Sequence, residues 1–155
     1  LPHPQAARGA GALGRRWCAA TGGEAWTQTR LNAVDGQPRQ LRVSAVSSLA
    51  DASFSYSDRI GWEDRTASGF DDLVSSTWRT RGYGDFYSHL LVAEGAVDIA
   101  AEPELDPWDV AALIPIITQA GGRITGYDGS PALTAGGAFT TNGHLHEATA
   151  KLLRS

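Results

Sequence analysis

The chain has 155 residues, 42% of them hydrophobic and 19% charged, which is ordinary globular composition and enough to bury one sizeable core. A net charge of −4 supplies no basic surface for a nucleic acid, and no apolar run approaches the roughly 18 residues of a membrane span. Cys18 is the single cysteine, so there is no disulfide framework and no thiolate metal cluster, a usage that suits the cytoplasm.

Residues 1–11, LPHPQAARGAG, mix Pro, Gly, Ala and Arg without periodicity and predict a disordered leader. Residues 12–46 predict a β meander. Arg16 to Ala20 alternates loosely, Thr21-Gly22-Gly23 turns, Glu24 to Thr29 is a second strand, and Asp35-Gly36 with Pro38 turns again before Gln40 to Val43. Alone, such a meander exposes open edges and an apolar face carrying Trp17 and Trp26. The competing expectation is a small, locally paired hairpin unit.

Residues 47–155 predict an α/β domain. Ser47 to Asp51 reads as a short turn and Ala52 to Tyr56 as a strand. Trp62 to Ser76 reads as a helix with Phe70, Leu73 and Val74 on one side. Thr77 to Thr80 is a strand, Asp85 to Glu94 a helix whose buried stripe is Phe86, Leu90, Leu91 and Ala93, and Ala96 to Ala101 a buried strand after the Gly95 stop. Glu102 leaves that strand at its C-terminal end, where ligands of α/β sheets collect. Val110 to Ala120 is an apolar helix stopped by Gly121-Gly122, and Pro115 within it predicts a kink. Strands at Arg123 to Thr125 and Ala138 to Thr141 and a last helix from His144 to Leu153 complete the chain. The alternation from Thr77 to Ala120 is the pattern of a parallel layer.

The candidate chemistry lies between Arg81 and Asp109. Pro107 restricts Asp106 to extended or turn geometry, which puts Asp109 at the first helical turn, facing unpaired N–H groups and the positive end of the dipole. A carboxylate there is held ionised and suits Mg²⁺ as a hard oxygen ligand. The plainer reading makes it a helix cap. Gly82 and Gly84 allow backbone to approach a ligand closely. Arg81 points a guanidinium either at a ligand or at Asp85 as a structural ion pair. Asp85 is also a candidate N-cap, and Glu104 and Asp106 read as solvated loop charges. His144 and His146 are two apart and face different sides of a helix, which argues against a metal pair. His89 reads as a surface or interface histidine.

Trp108-Asp109-x-Ala111, an apolar helix and Ala120-Gly121-Gly122 resemble the second signature of the inositol monophosphatase superfamily of Mg²⁺-dependent phosphomonoesterases. With Arg81-Gly-Tyr-Gly84-Asp85 upstream and Pro107 to Ile116 as they stand, residues 12–155 are most similar to the histidinol-phosphate phosphatases of the inositol-monophosphatase-like type, particularly actinobacterial ones. The resemblance implies the C-terminal part of the layered αβαβα sugar-phosphatase fold, a parallel or mixed sheet flanked by helices, with residues 12–46 left from the N-terminal sheet. It implies Mg²⁺ held by Asp109, and Glu102, Asp85 and Arg81 contacting the substrate, a small phosphate monoester. No nucleic acid or membrane partner is implied, and the family's habit is a homodimer. The implied reaction is hydrolysis of L-histidinol phosphate in histidine biosynthesis. The family's first signature, an Asp-Pro-x-Asp-Gly-Thr run with two metal-binding aspartates, does not occur in this sequence. The expectation is therefore a truncated, split or mis-started enzyme, inactive alone. Two alternatives stand beside it: an inositol or other sugar monophosphatase, and a catalytically silent α/β module that binds a partner.

Overall fold

Alternation over residues 15–31 decides the first layer. In the computed structural model, which describes residues 7–10, 14–31, 34–63 and 68–154, β1 (Ala7–Ala10), β2 (Arg15–Ala19), β3 (Ala25–Leu31), β4 (Val34–Asp35) and β5 (Arg39–Gln40) form one antiparallel sheet. The meander is present, and β1 corrects the predicted leader over residues 7–10, where backbone pairing to β2 supplies the order that composition lacks. The rest of that leader, residues 1–6 and 11, lies outside the described residues.

Register corrects the picture of one exposed face with two tryptophans. Trp17 stands opposite Thr27 and Cys18 opposite Trp26, so the indoles point to opposite faces of the sheet. Trp17 is fully buried with Leu41, Leu90, Leu113, Ile116 and Ile117. Two of those elements are helices from beyond residue 47, and they cover the apolar face. A carboxylate fastens the joint: Glu94 accepts from Arg15 at 2.9 and 3.0 Å, from Trp17 Nε1 at 2.6 Å and from Arg39 at 3.2 Å. Its side chain is 7% exposed, and two guanidinium partners with several hydrogen bonds are what a largely buried charge requires.

The second sheet has the order β7-β6-β8-β10-β9, from β6 (Ser53–Ser55), β7 (Arg79–Arg81), β8 (Ile99–Glu102), β9 (Arg123–Thr125) and β10 (Ala138–Thr141). Strand β6 runs parallel to both β7 and β8, while β10 is antiparallel to β8 and β9. The sheet is mixed. Helices α1 (Ser68–Ser76) and α5 (His146–Leu153) pack together, closing a core of Phe54, Phe70, Leu73, Ile99, Phe139, Leu145 and Ala150. Helices α2 (Asp85–Ala93) and α4 (Leu113–Gln119) pack on each other and against the meander.

Two helices differ from the sequence expectation. Ile60–Trp62 is a single 3₁₀ turn and α1 begins at Ser68, with residues 64–67 outside the description. The apolar segment starts earlier, at Pro107, and is interrupted at Ala112 into α3 (Pro107–Ala111) and α4. Pro115 is the third residue of α4, where a missing N–H costs no intrahelical bond. The predicted kink is thus a break at Ala112, which leaves Pro115 in the first turn of a new helix.

Candidate active site

The three parallel strands end at one edge of the sheet, and each delivers residues to it. After β6 comes Ser57, after β7 the N-terminus of α2 with Asp85 and Phe86, and Glu102 is the last residue of β8. Helix α3 follows on the loop from Pro103 to Asp106. Gly137 holds that loop close, because a Cβ there would collide with the Pro103 carbonyl oxygen. Leu105 N–H donates to Gly136 C=O at 3.1 Å.

Asp85, Phe86, Glu102, Glu104, Leu105 and Asp109 line a cavity of about 320 Å³. A neighbouring hollow of about 480 Å³ shares Glu104, Leu105 and Asp109 and adds Asp106 and Gly136. The structure therefore gathers Asp85, Glu102 and Asp109 on one cavity. Arg81 is not among its lining residues. Its exposed guanidinium donates to the Thr80 carbonyl at 2.7 Å, and no ion pair to Asp85 occurs among the described residues, so the structural-pair alternative fails.

Asp109 is the third residue of α3 rather than its N-cap, a place taken by Asp106. Its Oδ2 accepts from Asp106 N–H at 3.0 Å, one arm of a capping box, and the side chain remains exposed. Asp85 is not an N-cap either: Gly84 is, with φ +81°. Asp85 itself has φ +48°, the left-handed region, alone among the described non-glycine residues. Such strain persists where surroundings impose it, and here Ser57 Oγ accepts the Asp85 N–H at 2.8 Å.

Glu102 is 4% exposed and its Oε1 has no hydrogen-bond partner among the described residues. Burial pushes its carboxyl up to about 7; a hydrogen bond from Ser57 opposes the rise, and the charges of Asp85 and Asp58 add to it. The folded chain keeps a proton that the unfolded chain releases above about pH 4.5. This stabilisation is full below that pH and is lost as pH rises through about 7. Glu102→Gln is expected to flatten the corresponding fall of melting temperature between about pH 5 and about pH 8; an unchanged slope would mean that Glu102 ionises normally.

His89, His144 and His146 are not among the residues that line either hollow. His89 is fully buried, against the expectation of a surface residue; its Nδ1 meets Thr140 Oγ1 at 2.7 Å, and burial lowers it to about 4. His146 is buried between Thr125 and Thr141 and stacked on Phe139, whereas His144 is exposed. Among the described residues no three His, Cys, Asp or Glu side chains converge to hold a metal ion. A single carboxylate such as Asp109 would fill only one of about six positions in a Mg²⁺ shell.

Sequence reasoning missed Phe86, assigned to the buried stripe of α2, and Ser57. Glu104 is an exposed loop charge, as its sequence position suggests, and it also lines both hollows. No short motif marks Ser57; only the parallel pairing of β6 with β7 brings it to Asp85.

A mixed α/β sheet with a carboxylate-lined cavity beyond the ends of its parallel strands defines a ligand-binding layered protein. The chain belongs to the inositol monophosphatase family, whose sequence model matches residues 7–155. It is 50% identical over 137 residues to a histidinol-phosphatase of Streptomyces coelicolor, covering 88% of this chain and 50% of that protein. It is 48% identical over 138 residues to a histidinol-phosphatase of Mycobacterium tuberculosis, with 88% and 51% covered. The chain thus spans about half the length of these curated relatives. Among solved structures, an inositol monophosphatase of Zymomonas mobilis superposes with a TM-score of 0.72 at 20% identity, over 91% of this chain and 57% of that one. An inositol monophosphatase of Anabaena gives 0.69 at 25% identity, over 90% and 60%. No helix among the described residues is long and apolar enough to cross a membrane.

Proposed function

We propose that this chain is the substrate-recognition part of a Mg²⁺-dependent phosphomonoesterase that hydrolyses L-histidinol phosphate in histidine biosynthesis. The observation that carries the reading is the buried, partnerless Oε1 of Glu102 in a cavity with Asp85 and Asp109, joined to about 50% identity with histidinol-phosphatases. A buried carboxylate lacking a partner is costly, and an ammonium or imidazolium on the substrate would relieve it by a charge-assisted hydrogen bond. Asp85 adds a second anionic contact at the same end. Arg81, outside the cavity lining, remains a candidate for substrate contact from its rim.

When bound, Mg²⁺ would supply a Lewis acid and an activated water for phosphoryl transfer. Asp109 would be this chain's one ligand to it, with the other oxygen ligands coming from groups beyond the described residues. The work of the residues present is binding: Ser57 and the Asp85 backbone hold the α2 terminus, and Glu102 and Asp85 orient the cationic end. A small phosphate ester is the partner this implies, in the cytoplasm, within a homodimer of the family's kind. Phosphate release from histidinol phosphate, compared with myo-inositol phosphate, by a protein containing this chain and a complete metal site tests the substrate. Hydrolysis of the inositol ester alone would replace this reading by the inositol one.

The isolated chain is expected to bind Mg²⁺ only in the millimolar range or more weakly, because one carboxylate leaves most of about six coordination positions to water. Titration calorimetry measures this. Micromolar affinity would mean that further ligands converge within these 155 residues.

A further inference from the structure

Phe86 is the second residue of α2. Residues Ser88 to Ala93 of that helix are buried, yet Phe86 is 39% exposed, so its ring is not spent on the core. It lines the cavity with four carboxylates, Asp85, Glu102, Glu104 and Asp109, and with Leu105. Among the described residues, no Lys, Arg or His lines that cavity. Such a lining combines an aromatic face, an aliphatic wall and strong negative charge, and Glu102, 4% exposed, sits in it with its Oε1 buried and without a partner among the described residues.

We propose that Phe86 is a specificity-determining residue: its ring forms the apolar wall against which a flat cationic ring of the imidazolium class lies, while the carboxylates meet its charge. A neutral polyol offers neither a π face nor a positive charge to this arrangement. Cation–π attraction needs an aromatic face beside a desolvated cation, and a ring rejected from the core at the mouth of an anionic cavity meets that condition. Asp85, in its left-handed conformation with its N–H donated to Ser57 Oγ, starts the helix that carries Phe86 into the cavity lining. The inference rests on the reading that this cavity receives the organic end of the substrate.

The test titrates the 155-residue chain with L-histidinol, which carries an ammonium and an imidazole but no phosphate, and with myo-inositol, following amide shifts by NMR. Phe86→Leu keeps an apolar side chain at a half-exposed position, and is expected to weaken histidinol binding about three- to tenfold while leaving inositol unchanged. Phe86→Tyr keeps the ring and is expected to restore the parent affinity. Equal histidinol affinity in Phe86→Leu, an equal loss for inositol, or no measurable histidinol binding by the parent would each overturn the proposal. The two readings separate cleanly. A complete enzyme that fails to hydrolyse histidinol phosphate would remove that ester as the substrate and leave the ring's preference for histidinol standing, whereas hydrolysis with the Phe86→Leu variant showing undiminished affinity would remove only the role of Phe86.

Discussion

Asp109→Asn, in a protein containing this chain and the remaining Mg²⁺ ligands, is expected to lower turnover by two or more orders of magnitude, about 3 kcal/mol of transition-state stabilisation, with little change in melting temperature. The two effects separate because they use different properties of one side chain. Its structural task is to accept the Asp106 N–H at 3.0 Å, and the asparagine amide oxygen can do the same. Losing the charge at an exposed helix N-terminus costs only about 0.3 to 1 kcal/mol. A hard cation, by contrast, needs the anionic oxygen. Asp109→Ala would remove both properties and distinguish nothing. Near-normal Mg²⁺-dependent turnover in the asparagine variant would leave Asp109 as a helix-terminal residue, and the metal assignment would fall with it.

Glu102→Gln carries the second large effect, and it falls on selectivity. Losing a charge-assisted hydrogen bond to an ammonium or imidazolium should cost roughly 1.5 to 3 kcal/mol in kcat/KM for histidinol phosphate. A neutral sugar phosphate should lose much less. Because burial holds the carboxyl near 7, the parent's preference for an ester that presents an ammonium, which stays charged throughout this range, should strengthen as pH rises through that value, and the glutamine variant should lack this pH dependence. Equal losses on both substrates would reduce Glu102 to a general electrostatic role.

Much of this site was legible before the fold. The Trp108-Asp109 pair ahead of an apolar helix gave Asp109, and an apolar run ending in Glu102 gave a carboxylate at a strand end, because both features are local: a proline-bounded helix start and a run of buried residues. Asp85 as a substrate contact is what the family resemblance implies, and the cap that its position suggested is taken by Gly84. Arg81 shows the limit of the same logic. Four residues from Asp85, it looks like a partner along the chain, but it lies in β7 while Asp85 lies beyond the Gly84 turn, and its guanidinium turns to the Thr80 carbonyl.

The sequence by itself determined the strand and helix alternation, the acidic character and the two carboxylates whose neighbours fix their local geometry, since period, proline and glycine act within a few residues. Tertiary structure alone decided which faces are covered and which polar atoms lack partners. Trp17 is buried because α2 and α4 close on the meander and Glu94 binds Arg15, Trp17 and Arg39 across that joint. His89 is buried because α2 lies over β10, and Ser57 reaches Asp85 because β6 runs parallel between β7 and β8. These are contacts between residues 28 to 79 positions apart, and burial, unlike periodicity, is a property of what packs on top.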